Sequence, residues 1–252
     1  MIRLLAFVLA VLMVVPVQAE RLISGISNDT IQITSSFSGE RLTFYGTIAP
    51  DIGAPTNTVS GSYQVAIVIL GPTQDRVSRK MTNNFGFWIN TEQVEFKNFP
   101  SYFHVLSSKR LLDITDIVTL NQNAILPESY ALVPNRAGFL KTLNFGRELI
   151  RLMSEEGLFG VQENGVVFMS DNFYSAQLQL PSSAPPGPYI AQTYVFKDGQ
   201  VVARKSEGFA VRKIDFERFV ALSAVQYPLL YGIACVFLAL FTGWLGGVLF
   251  RR

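Results

Sequence analysis

The sequence predicts a mainly β protein: an immunoglobulin-like β-sandwich with a helical insertion, followed by one C-terminal transmembrane helix. Three observations predict it. Short segments between Thr30 and Ser107, and again between Val166 and Val211, alternate apolar and polar residues with period two, as half-buried strands do. Over about residues 108–160 the spacing changes to the three-, four- and seven-residue steps of an amphipathic helix. Finally, Tyr227 to Phe250 is a run of twenty-four residues without Asp, Glu, Lys, Arg or His.

Taken in order, residues 1–19 read as a secretory signal. Arg3 supplies the basic start, Leu4 to Val15 is an apolar run too short to span a bilayer, and Val17-Gln18-Ala19 ends with small residues at the cleavage positions. Glu20 is then the mature N-terminus, with an uncleaved second anchor as the alternative. No Cys follows the run, which argues against a lipoprotein. Residues 20–214 form the folded domain.

Ile31 and Ile33 alternate with Gln32 and Thr34. Gly39-Glu40 turns the chain into a strand from Leu42 to Ile48, and a Pro/Gly-rich loop runs from Pro50 to Gly61. Tyr63 to Leu70 is continuously apolar, the mark of a central strand covered on both faces, and Gly71-Pro72 should stop it. Val77–Met81, Phe85–Asn90 and Tyr102–Ser107 read as further strands. Leu111–Leu120 is expected to be helical, as is Asn135–Glu156, where Phe139, Leu143, Ile150 and Met153 share a face and Gly157 stops the helix. Strands resume at Val166–Met169, Ala176–Pro181 and Tyr189–Phe196. Asp198-Gly199 is a hairpin signal into Val201–Lys205, and Phe209–Val211 closes the domain. Two separate small domains are the alternative to one sandwich.

Residues 215–226 are a juxtamembrane segment and 227–250 the transmembrane helix, long enough for a hydrocarbon core of about 30 Å. Tyr227, Tyr231 and Trp244 sit near its ends, where amphipathic rings favour the interface. Arg251 and Arg252 form a cytoplasmic tail, which with the signal segment predicts a single-pass type I topology. A glycolipid-anchor signal is disfavoured by the tail's length and its two arginines. Gly243 and Gly247 are four apart, and Gly232 and Ala239 continue the face at steps of seven and four, a small-residue stripe for packing against another helix.

Composition excludes several functions. The external part carries 18 of the 21 Lys and Arg against all 19 Asp and Glu, a balance of −1 that offers nucleic acid no basic face. The one cysteine, Cys235, lies in the membrane run, so the domain has no disulfide and is held by burial alone. One histidine, His104, and no external thiol build neither a nucleophilic triad nor a zinc or copper site, and no cofactor is expected. Glu92 with Glu95, and Glu155 with Glu156, read as solvated charge rather than glycosidase pairs. The aromatic series Phe85, Phe87, Trp88, Phe96, Phe99, Tyr102 and Phe103 reads as core. A surface for a partner or ligand, drawing on Trp88, Tyr102 and His104, is the alternative.

Thr34 to Leu42 before Phe44-Tyr45-Gly46, Leu70-Gly71-Pro72, Phe87-Trp88-Ile89-Asn90 with Val94-Glu95-Phe96, and Pro100-Ser101-Tyr102-Phe103 through Ser107-Ser108 resemble a family of alphaproteobacterial transmembrane proteins of unknown function. The likeness covers most of the chain, including both ends. It implies a periplasmic domain on a bacterial inner membrane, no assigned activity, and a sulfite-exporter-like permease as a partner. From the residues and the resemblance together, an accessory or binding protein of a membrane complex is expected, partnered by another membrane protein or by its own copy. An envelope enzyme with an unrecognised site is the second expectation. A ligand-sensing module is disfavoured, because the tail leaves nothing inside to signal with.

Overall fold

The structure is a computed structural model that describes residues 20–33, 39–50, 61–131, 138–213, 220 and 223–249. The signal segment, the interior of the Pro50–Gly61 loop, the start of the Asn135 helix, most of the juxtamembrane segment, the terminal arginines and residues 34–38 lie outside the described residues.

Among the described residues the strands are β1 (Arg21–Ile26), β2 (Thr30–Ile33), β3 (Glu40–Ala49), β4 (Tyr63–Leu70), β5 (Thr73–Asn84), β6 (Phe87–Pro100), β7 (Phe103–Ser107), β8 (Phe159–Gln162), β9 (Val166–Phe168), β10 (Phe173–Leu180), β11 (Gly187–Lys197) and β12 (Gln200–Lys213). The helices are α1 (Leu111–Ile114), α2 (Ile117–Gln122), α3 (Glu128–Ala131), α4 (Phe139–Glu155) and α5 (Pro228–Leu249).

One sheet has the order β1-β3-β10-β9, antiparallel throughout. Its inward face carries Leu42, Phe44, Tyr174, Ala176 and Leu178, which the register brings together and which alternate with exposed or half-buried neighbours. The second sheet has the order β2-β12-β11-β4-β7-β8, antiparallel in the middle with a parallel pair at each edge. Phe44 meets Phe209 edge-on at 6.3 Å between centroids, and Tyr189 stacks on Phe209 at 5.1 Å, joining the two sheets in one core. Ser24 of β1 donates to Glu207 of β12, and Lys205 donates to the Ser24 carbonyl, pinning the sheets at their margin.

β4 is the central strand that its uninterrupted apolar run predicts. Val65, Ile67 and Ile69 share the face of Thr193 and Ala191, while Ala66 and Val68 pair beside Tyr194 and Gln192 on the other. The helical excursion covers that second face. The Tyr194 hydroxyl donates to the Asn123 carbonyl, Thr115 Oγ1 donates to the Gly199 carbonyl, and Tyr130 packs edge-on against Phe103. The expectation of a mainly β chain with helices inserted near residues 108–160 and one C-terminal apolar helix therefore holds.

Several details differ from the sequence reading. β1 and β8 are additional to the strands that the sequence pattern predicts. The helix expected over Leu111–Leu120 is two short helices parted at Thr115, whose side chain caps the β11–β12 turn instead. Val201–Lys205 and Phe209–Val211 are one strand of 14 residues, entered through a turn in which Asp198 and Gly199 have φ of 50° and 79°, left-handed values that suit a tight hairpin. Gly71-Pro72 does not stop pairing. The Gly71 N–H donates to the Tyr102 carbonyl and the Ser101 N–H to the Pro72 carbonyl, so the β4–β7 ladder runs unbroken into β5–β6.

Candidate functional site

That continuation is a two-stranded arm. β5 has 12 residues and β6 has 14, so at about 3.3 Å per residue the arm is roughly 40 Å long. At its base Val94, Phe96 and Phe99 are buried; Phe99 stacks on Phe159 at 5.7 Å, and Phe96 crosses Phe99 edge-on. The ladder shifts register beside Asp75, whose carboxylate accepts from the Asn98 N–H, and again after Lys80. Farther out, α4 braces the arm. Lys141 Nζ lies 2.9 Å from Glu92 Oε2, and this hydrogen bond and the cation's charge hold the Glu92 carboxyl below the usual carboxylate range. A groove of about 830 Å³ separates the two elements, lined by Arg79, Lys80, Met81, Leu140, Lys141 and Phe145 among others.

Beyond that brace the tip is bare. Phe85 is 103% exposed, Phe87 73% and Trp88 65%, with Met81 and Ile89 also exposed. Phe85 and Gly86, at φ of 52° and 86°, form the turn, and the Gly86 N–H donates to Asn83 Oδ1. The aromatic series is thus not one core. Its first three members lie at the arm's end and the remaining four inside the domain. Sequence position hid the division because all seven sit at strand-compatible spacing, while the ladder places Trp88 opposite Asn83 and Tyr102 opposite Gly71, at the arm's two ends.

The same register separates Trp88 from the other residues grouped with it. Tyr102 is completely buried, with no hydrogen-bond partner for its hydroxyl among the described residues, and burial pushes its pKa up. His104 is half-buried, stacked on Tyr102 at 6.2 Å, and its Nδ1 has no hydrogen-bond partner among the described residues. Burial lowers its pKa. A Cβ at Gly160, the paired residue on β8, would stand 2.6 Å from the imidazole Cε1, so glycine is the residue that admits the ring. Trp88, Tyr102 and His104 do not form one surface. His104 and Tyr102 belong to the packing between strands, and no group of three metal-ligating side chains occurs among the described residues. Glu155 pairs with Arg151, which also holds Glu148.

Gly232, Ala239, Gly243 and Gly247 all lie on α5. Among the described residues a Cβ at Gly232, Gly243 or Gly247 would meet nothing within 4 Å, and Pro228–Gly247 is apolar, long enough to cross a membrane and unburied.

The profile of the family described as "Putative transmembrane protein (Alph_Pro_TM)" matches residues 21–252. The chain belongs to this family. Membership makes it a transmembrane protein of a family without an assigned function, with α5 as its candidate span. No curated protein matches the sequence. Among solved structures, a family 123 glycoside hydrolase from Clostridium perfringens, studied for glycolipid glycan hydrolysis, aligns at 8% identity and a TM-score of 0.24. The alignment covers 77% of this chain and 27% of the hydrolase, and a likeness that weak carries no argument.

Proposed function

We propose that this family member is an accessory or binding protein of a bacterial inner-membrane complex. Its folded domain stands in the periplasm, and its span packs against a multi-span partner such as a transporter. The observation that carries the reading is the span itself, whose Gly232, Ala239, Gly243 and Gly247 lie along one side with no neighbour from the rest of the chain among the described residues. Small residues permit close backbone approach where apolar burial drives nothing. The domain supports the reading too: its one histidine is stacked on the buried Tyr102, and its arm exposes an apolar tip.

The test is affinity capture of the full-length chain from mild-detergent membranes with mass spectrometry of what accompanies it. One multi-span protein should recur and be lost when Gly243 and Gly247 are replaced by Leu. Its retention in the double variant would sink the helix-packing reading, and a ligand screen that found turnover would favour an envelope enzyme.

A further inference from the structure

The arm and the membrane helix leave the domain from the same end. β12 runs parallel to β4, because each is antiparallel to β11 between them. β4 continues into β5, and β12 ends at Lys213 on the way to Pro228. The intervening fourteen residues span at most about 50 Å and the arm is roughly 40 Å long, so a linker drawn in below full extension brings the tip within reach of the bilayer surface.

The tip's chemistry suits that surface. From Met81 to Thr91 there is no charged side chain, although charges are frequent immediately below. The register puts Phe87 and Ile89 on one face of the ribbon and Trp88 with Met81 on the other, with Phe85 at the turn, so both faces of the tip carry large apolar side chains. A flat protein patch would be met by one apolar face; an apolar medium is met by both. Asn83, Asn84, Asn90 and Thr82 are interleaved with the rings, giving the mixed character of the headgroup boundary, where Trp is favoured. Depth is limited by the backbone, since the outer edges of a two-stranded ribbon carry unpaired amide groups that hydrocarbon cannot satisfy. Just below the tip Arg79, Lys80 and Lys141 outnumber Glu92, while Glu148, which lines the same groove, is held by Arg151, so this level carries a net positive charge.

We propose that the arm tip, Phe85 with Phe87, Trp88, Ile89 and Met81, sits in the interface of the bilayer that α5 crosses and holds the domain against anionic headgroups. The inference rests on membrane anchorage and is independent of the partner protein.

The experiment uses the full chain with Trp244→Phe, which leaves Trp88 as the sole tryptophan. It is reconstituted alone in vesicles of phosphatidylcholine and phosphatidylglycerol. Trp88 emission should be blue-shifted, shielded from aqueous iodide, and quenched more by lipids brominated near the headgroup end of the acyl chain than by those brominated deeper. Emission typical of water, open to iodide and indifferent to bromine, overturns the proposal. So does a blue shift without bromine quenching that grows with protein density, which would put a second copy on the tip. Amide exchange of the unaltered chain checks the same point. Residues 82–90 should exchange more slowly in vesicles than in amphipol, and equal rates overturn the proposal. With no partner protein present, failure here leaves the accessory reading standing.

Discussion

His104 shows how a single buried group can make stability depend on pH. Its pKa is lowered by burial, so the folded state resists the proton that the unfolded chain accepts as pH falls through about 6.5. Its contribution is therefore fully favourable above that pH and is lost as pH falls toward the depressed folded value. Melting temperature is expected to drop between pH 7.5 and 5.5, and His104→Gln should flatten that slope; an unchanged slope would remove His104 from the explanation. The residue was readable as a structural histidine from its place on an alternating strand beside Tyr102. That a glycine fifty-six positions away makes room for its ring was not, because β7 and β8 pair in parallel across the whole helical excursion. Trp88 is the opposite case. Its aromatic neighbours suggested a core, and the contrary signal was the charge-free stretch around it, where Phe87, Trp88 and Ile89 abandon period-two alternation.

At the scale of elements, the arm divides into a packed base and a bare tip, and substitutions should respect the division. Phe96→Ala removes a ring that is 4% exposed and should cost about 3–5 kcal/mol. Trp88→Ala removes a ring that touches mainly solvent and should change stability by less than about 0.5 kcal/mol. Thermal denaturation of the two variants decides this, and comparable losses would place Trp88 in the core after all. Elements with local signatures were legible: β4 from its unbroken apolar run, the β11–β12 hairpin from Asp198-Gly199, and α4 from its spacing, although the face it buries is Thr142, Gly146, Ile150 and Met153 while Phe139, expected on that face, is exposed. Those made by distant pairing were not. β8 has four residues including Gly160, too few for a pattern, and exists because β7 offers it an edge. Gly71-Pro72 resembles a terminator, which makes the arm look like separate strands in the sequence, yet the Pro72 carbonyl still accepts from the Ser101 N–H and the ladder survives.

At the scale of the whole molecule, stability comes from two sheets and a helical layer closing on β4 and β11, with no covalent cross-link. The only thiol, Cys235, is in α5, so reducing agent should leave the domain's melting temperature unchanged; a downward shift would indicate a bridge between copies. The mainly β architecture, the inserted helices and the apolar span were all readable from periodicity and charge, whereas the common exit of arm and anchor depends on strand order, which no local pattern encodes. That exit also determines how the domain bears mechanical load. Tension from the membrane enters at Lys213 and runs along the axis of β12, which is flanked by β11 on one side and, over Ala210–Lys213, by β2 on the other. Pulled in that direction the ladder is sheared, so many hydrogen bonds must yield together, whereas a strand peeled from its end loses them one at a time. The last strand of the domain is thus well suited to serve as its tether.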